Sequence, residues 1–374
     1  MAAPKRAAIT VTPAVEMRAA TSVAVAILAV VATSAAETGS PSIQEYVRRK
    51  RGKGILPFPF FLFPFYFDLM HTPLIIGTRG SPLALWQANH VAARLRPVAA
   101  PRGVELRIIE THGDRDQATA LSAMGGFGVF TKAIQNALLD HSADVAVHSL
   151  KDLPTIPTDG LTLAAVPPRG PTGDAFVSRK FRRFEDLPRG ATVGTSSLRR
   201  RAQVLNRRPD LTLVPLRGNV DTRLRKLEEQ ELAAVILAEA GLVRLGLGDQ
   251  ITEILDTEWM LPAVGQGAIG LESRTDDAET RSCLEALTDA PTWERVLAER
   301  AMLAALGGGC LVPIGVTSAV ADGVLTIRGA VLTPDGRRRV VGTHRGPADT
   351  PLAVGQELAA MLLEEGAGEL LATG

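Results

Sequence analysis

Thr192-Val193-Gly194-Thr195-Ser196-Ser197-Leu198-Arg199-Arg200-Arg201 reads as the end of a strand, a turn of small and hydroxyl residues, and the start of a helix. Strand, turn and helix in that order form the unit from which α/β domains are built. The three arginines stand where acidic residues are usually favoured, so they run against the helix dipole and an anion is expected to compensate. The same unit follows Met70. A short apolar strand at residues 73–76 runs into Gly77-Thr78-Arg79-Gly80-Ser81-Pro82, where Ser81 can cap a helix and Pro82 suits its first turn. That helix carries Leu83, Trp86, Val91 and Leu95. A helix N-terminus after a glycine turn favours anions, and Arg79 sits in this turn.

Working outward, residues 104–109 alternate in the strand manner and residues 144–147 form a short buried strand. The second strand leads into His148-Ser149-Leu150-Lys151-Asp152-Leu153-Pro154, a dense polar cluster. Ligands in α/β sheets lie beyond the carboxyl ends of strands, so this cluster is well placed for chemistry. Further strands are expected at 161–166, 175–177, 211–216 and 233–237. Arg217-Gly218-Asn219 follows the third, with Arg223 on the next helix, and Arg244 follows the fourth. Arginine forks gathered at strand ends suit carboxylate or phosphate. The chain has no Walker A motif and no G-x-G-x-x-G, so several carboxylates are the expected ligand.

Leu261-Pro262-Ala263-Val264-Gly265-Gln266-Gly267 reads as a hinge or return crossing, followed by a strand at 268–271 and a helix at 278–287 in which Cys283 is structural. A periodic helix at 293–306 leads into Leu306-Gly307-Gly308-Gly309-Cys310-Leu311-Val312-Pro313-Ile314-Gly315. Glycines without Cβ atoms let this loop present a thiol to a bulky neighbour at close range. The alternative is an ordinary buried cysteine after a turn. Strands at 324–332 and 338–343 and a helix at 351–363 close a small α/β unit.

Composition sets the outer bounds. The 374 residues are 46% hydrophobic and 22% charged, with a formal net charge of +1. That is the profile of a soluble protein of two or three domains, with no global charge for nucleic acid. Two cysteines, without C-x-x-C or Cys/His spacing, give neither a disulfide framework nor a zinc site and point to a reducing compartment. Residues 1–71 differ, with 8 basic and 4 acidic groups, a small-residue apolar run at 21–36 after Arg18, the basic run 48–51 and a Phe/Pro-rich stretch at 55–67. Three readings compete: a targeting or anchoring segment, a disordered tail, or translated sequence upstream of a start at Met70. The last two are the expectation for residues 1–71, because Met70-His71-Thr72-Pro73 runs directly into a strand.

Taken together, Thr78 to Gln87, His148 to Pro154, Gly194 to Arg200, Leu216 to Asn219, Leu261 to Ala268 and Gly308 to Gly315 resemble the porphobilinogen deaminase family, in order, over residues 73–374. The resemblance implies an α/β fold of two periplasmic-binding-protein-like lobes plus a small C-terminal α/β domain. The implied boundaries are 73–167 with 268–285 for domain 1, 173–261 for domain 2 and 290–374 for domain 3. It implies one covalent dipyrromethane cofactor per chain, held by a thioether to Cys310, and a catalytic aspartate at Asp152. Arg79, Ser149, Lys151, Asp152, Thr195, Ser196, Arg199, Arg200, Arg217, Gly218 and Arg223 match cofactor-binding positions. Arg79, Arg217, Arg223, Arg244 and Gln266 match substrate-binding positions.

The implied reaction joins porphobilinogen units head to tail, with loss of ammonia, into a linear tetrapyrrole. A buried Asp152 would stabilise the cation left when ammonia departs. The implied protein is a cytoplasmic monomer with no metal, no nucleic acid and no obligate protein partner. The family usually has Lys where this chain has Phe127, in Gly125-Gly126-Phe127-Gly128, and the stretch at 116–120 also departs from its pattern. Rival readings are a non-catalytic two-lobed polycarboxylate-binding protein and a cysteine hydrolase, for which no His/Asn partner of Cys310 is evident.

Overall fold

A computed structural model describes residues 72–110, 131–307 and 312–372. The chain begins with strand β1 (Leu74–Thr78), helix α1 (Pro82–Ala99), β2 (Val104–Ile108), α2 (Lys132–Leu139), β3 (Val145–Ser149) and β4 (Leu161–Ala165). It then crosses into β5 (Asp174–Val177), β6 (Thr192–Gly194), α3 (Leu198–Arg207), β7 (Thr212–Val214), α4 (Val220–Glu229), β8 (Ala234–Ala238), α5 (Glu239–Arg244) and β9 (Glu253–Leu255). It returns through β10 (Ile269–Arg274) to α6 (Ala278–Glu285) and α7 (Ala290–Ala305), and finishes with β11 (Ile314–Ala321), β12 (Val324–Leu332), β13 (Arg339–Pro347), α8 (Pro351–Glu364) and α9 (Ala367–Ala372).

Two five-stranded sheets follow one plan. Their orders are β2-β1-β3-β10-β4 and β7-β6-β8-β5-β9. In each, the first three strands are parallel and the fourth is antiparallel to both neighbours. That fourth strand arrives from the opposite lobe: β5 enters the second sheet after β4, and β10 enters the first after β9. The chain therefore crosses twice between the lobes. This is the two-lobed, solute-binding-protein type of α/β fold, with a third sheet, β11-β12-β13, in a small C-terminal unit.

Strands buried on both faces read as continuous apolar runs, and β8 is such a strand, as are residues 145–147 of β3 and 175–177 of β5. β10 is equally buried although its second half is Glu272, Ser273 and Arg274. Ser81 caps α1 by accepting from the Ala84 N–H, with Pro82 in the first turn, and Ser197 caps α3 by accepting from the Arg200 N–H. Two strands escape sequence reading. β9 is a three-residue edge strand, and β11 lies where the sequence suggests only a loop tail. β11 mixes β-branched Ile314, Val316, Thr317 and Val320 with Gly315, Ala319 and Ala321, which have little strand preference, and its eight-residue pairing with β12 makes it a strand.

The two crossings are stitched together. Gly170 N–H donates to the Gly267 carbonyl at 3.0 Å, and Arg169 Nε donates to the Gln266 carbonyl at 2.8 Å. Gly267 has φ of +83°, and a Cβ there would lie 2.5 Å from the Pro171 oxygen, so only glycine fits the approach. Arg169 also forms a bidentate ion pair with Glu299 of α7 at 2.7 and 3.0 Å, with side-chain exposures of 3% and 0%. Glu299 further accepts from Gly265 N–H and Ser318 Oγ. The C-terminal unit is thus locked to the hinge by one buried carboxylate.

Candidate functional site

Between the lobes lies a cleft of about 410 Å³. The carboxyl ends of β3 and β8 and the N-termini of α1, α3 and α4 open onto it, as the switch-point rule for α/β sheets requires. Leu303, Val312 and Ile314 of the C-terminal unit line it as well. Six cations face this space, Arg79, Lys151, Arg199, Arg200, Arg223 and Arg244, against two carboxylates, Asp152 and Asp221. Such a charge balance fits a ligand bearing several carboxylates.

β3 ends at Ser149, and a single 3-10 turn (Leu150–Asp152) swings Lys151 and Asp152 into the cleft. Asp152 is exposed to that space and takes no hydrogen bond from a described residue; the expectation of a buried carboxylate is corrected here. The reason is the turn itself, which buries Leu150 and points the next two side chains outward. Burial pushes Lys151 down to about 8; the neighbouring Asp152 opposes that shift, and Arg200 adds to it. Ser149 Oγ is paired with the Gln87 amide at 3.0 Å, which fixes β3 to α1. His148, part of the same polar cluster, is tied by Nε2 to Glu272 Oε2 at 3.1 Å, and Gln135 Nε2 donates to both Glu272 oxygens.

Across the cleft, Arg199 and Arg200 share one carboxylate. Asp174, the first residue of β5 and fully buried, accepts from Arg199 Nη1 at 2.6 Å, Arg200 Nη2 at 2.7 Å and Arg200 Nε at 2.9 Å. The two arginines hold its pKa well below the ordinary carboxylate range. Asp174 is an anion that the α3 arginines called for, and sequence reading missed it. Its one signal was a charged residue at the head of an otherwise apolar strand.

The remaining expected residues divide. Arg223 donates through Nε to the Gly218 carbonyl at 2.8 Å, and burial, with Arg200 next, lowers it to about 10. Gly218 has φ of +111° and a Cβ there would meet Thr222, so glycine is required for that turn. Arg244 donates to the Gly267 carbonyl at 2.6 Å and is pushed to about 10 by burial. Ser196 lines the cleft, but its hydroxyl both accepts from Leu216 N–H and donates to the Leu216 carbonyl at 2.8 Å, joining two loops.

Three positions stand apart from the others. Thr195 is buried and is not among the residues lining the cleft; its hydroxyl accepts from Ser197 N–H, and its own N–H donates to the Val214 carbonyl, which holds it against the sheet just past β6. Arg217 is half-buried and not among the residues lining the cleft, yet it is close enough to Arg223 to depress it. Gln266 borders the cleft, but its amide N–H groups are spent on Thr172, Gly173 and Asp174, because it bridges the two crossings. Cys310 and the loop containing Phe127, with residues 116–120, lie outside the described residues. The chain on either side of residues 308–311 reaches the cleft through Leu303 and Val312.

Comparison with known proteins follows the same outline. The family description "Porphobilinogen deaminase, dipyromethane cofactor binding domain" matches residues 74–282, and "Porphobilinogen deaminase, C-terminal domain" matches residues 293–364. A porphobilinogen deaminase of Desulforudis audaxviator is 48% identical, over 81% of this chain and 98% of its own. One from Acidithiobacillus ferrooxidans is 49% identical, over 80% of this chain and 97% of its own. Among solved structures, a periplasmic substrate-binding protein of an ABC transporter from Coxiella burnetii shares 14% identity, over 57% of this chain and 91% of that one, with a TM-score of 0.38.

Proposed function

The chain belongs to the porphobilinogen deaminase family, and we propose that its reaction is carried by Asp152 in a cleft walled with arginines. It is a transferase of tetrapyrrole and haem biosynthesis. It joins four porphobilinogen molecules head to tail, with loss of four ammonia, into the linear tetrapyrrole hydroxymethylbilane. Its cofactor is dipyrromethane. The rival readings as a polycarboxylate-binding protein and as a cysteine hydrolase give way to this assignment.

The residues present fit that cofactor. Two joined pyrroles bring four carboxylates, and the cleft offers six cations against two carboxylates. When bound, the cofactor supplies the nucleophilic pyrrole carbon on which elongation begins. Cys310 is proposed as its thioether anchor, since a thiolate is a soft nucleophile suited to a pyrrole-derived cation. Arg79, Arg199, Arg200, Arg223 and Arg244 hold acetate and propionate groups, with Arg217, Lys151, Ser149, Ser196, Thr195 and Gly218 shaping that wall. Guanidinium groups suit the task because even those lowered to about 10 remain charged at neutral pH.

The carrying observation is Asp152, a carboxylate open to the cleft with no hydrogen bond from a described residue, amid cations of which Arg199, Arg200, Arg223 and Arg244 are committed to other acceptors. When the C–N bond of porphobilinogen breaks, the electron pair leaves with nitrogen and a methylene-pyrrolenine cation remains. Asp152 stabilises that cation and accepts hydrogen bonds from pyrrole N–H groups. The boundaries 73–167 with 268–285, 173–261 and 290–374 are proposed as the three domains, and a cytoplasmic monomer without metal or obligate partner as the working form.

Replacing Asp152 by Asn tests the assignment. We expect kcat to fall by about 100-fold or more while the protein stays folded and carries its cofactor. A kcat within threefold of the parent would remove Asp152 from the chemistry.

A further inference from the structure

Asp174 has no surface on the cleft, yet it controls two of the groups that do. Its Oδ1 accepts from Arg200 Nη2 and Nε, from Arg199 Nη2 at 3.2 Å and from Gln266 Nε2 at 3.0 Å. Its Oδ2 accepts from Arg199 Nη1 at 2.6 Å. The two guanidiniums spend further donors on the protein: Arg199 Nη1 on the Leu261 carbonyl at 2.5 Å and Arg200 Nη1 on the Ile236 carbonyl at 3.1 Å. Both side chains are about nine-tenths or more buried, at 5% and 6% exposure, and both line the cleft. Two buried cations thus face the ligand with one buried anion behind them.

We propose that Asp174 is a positioning residue that limits how tightly Arg199 and Arg200 grip ligand carboxylates. The inference rests on the proposed reading that these arginines hold those carboxylates. Without an internal anion, two desolvated guanidiniums would present a charge of +2 at close range and hold a bound carboxylate very strongly. Asp174 leaves the pair at +1 and fixes each fork by its orientation. An enzyme that lengthens its product one unit at a time must let carboxylates shift past fixed cations, and binding the ground state too tightly raises the barrier to the next step. The arginines then act as guides rather than clamps.

Gln266 joins the same carboxylate to the hinge. Its amide reaches Asp174 Oδ1 and the Thr172 and Gly173 carbonyls, so the Asp174 carboxylate is registered against both crossings. A carboxylate placed on the hinge holds the arginine pair in a fixed relation to the crossings, not only to its own lobe.

A charge ladder tests the proposal. The pair with Asp174 stands at +1, Asp174→Asn at +2, Arg199→Gln at 0, and the double variant Asp174→Asn/Arg199→Gln at +1 again. We expect KM for porphobilinogen to fall about fivefold in Asp174→Asn, to rise about fivefold in Arg199→Gln and to return toward the parent in the double variant. In Asp174→Asn kcat should fall together with KM, the signature of a ground state held too tightly. Asp174→Glu keeps the charge and should rescue most of kcat.

The outcomes separate. If KM and kcat per folded molecule are unchanged in Asp174→Asn while Arg199→Gln raises KM, Asp174 is only structural and the proposal is overturned. If Arg199→Gln leaves KM unchanged, the underlying reading of the arginines fails first. Should Asp174→Asn not fold, the double variant is compared with Arg199→Gln. The proposal requires the lower KM in the double variant, and equal values would overturn it.

Discussion

The guanidinium of Arg244, on the second lobe, lies 5.5 Å from the ring centre of Trp86, on the first. The Trp86 ring is stacked on His90 at 4.8 Å on its own helix, and Arg244 also donates to the Gly267 carbonyl of the return crossing. One cation therefore touches both lobes and the hinge at the mouth of the cleft. Burial and the nearby Arg94 and Arg244 hold His90 below its usual value, which keeps a third positive charge away from this stack at neutral pH.

A cation over an aromatic face contributes about 0.5–2 kcal/mol. Trp86→Leu should therefore raise KM for porphobilinogen by about twofold to thirtyfold, with kcat nearly unchanged. Steady-state kinetics on the folded variant check this. An unaltered KM would mean that the stack does not help hold Arg244 in its binding position.

The Arg169–Glu299 pair should matter to stability. Glu299→Gln leaves the Arg169 guanidinium buried without its anion, which costs about 3–5 kcal/mol. Urea unfolding followed by far-UV circular dichroism measures it, and the loss should appear as a lower midpoint with an unchanged slope.

Acid should weaken the same hinge. The carboxyls of Glu299 and Asp174 are both held below their ordinary values, by Arg169 and by the Arg199–Arg200 pair. Groups depressed in the folded state stabilise it fully above their unfolded pKa, and that contribution is lost as pH falls through the folded value. Thermal midpoints should therefore decline below about pH 4.5, and Glu299→Gln should show a shallower acid limb.

Lys151 has the opposite signature. Burial holds it near 8 in the folded protein against 10.5 in an unfolded chain. Its charge therefore costs stability at neutral pH, and the cost is relieved as pH rises from about 8 to 10.5. KM should increase as pH rises through about 8, where the cleft loses one positive charge. In Lys151→Met that limb of the pH profile should be absent.

Much of this was legible in the sequence because local chemistry and tertiary role coincide. Ser81 caps its helix, the 144–147 strand delivers Lys151 and Asp152, and the arginines of α3 and α4 reach the cleft. What was missed depends on partners distant in the chain. Asp174 meets Arg200 across 26 positions and Gln266 across 92, and no local pattern announces either contact. The exposure of Asp152 follows from a single 3-10 turn, and β11 from pairing with β12. Thr195 and Gln266 carry ligand-binding motifs, yet their polar groups serve the protein's own backbone and carboxylates.

The central claim is that this chain builds a linear tetrapyrrole on a dipyrromethane anchored at Cys310. Intact-mass measurement of the purified protein beside a Cys310→Ala variant tests it most directly. We expect an excess mass of one dipyrromethane on the parent and none on the variant, even after incubation with porphobilinogen. A folded parent that shows no such excess after the same incubation, or a variant that carries it, would contradict the account.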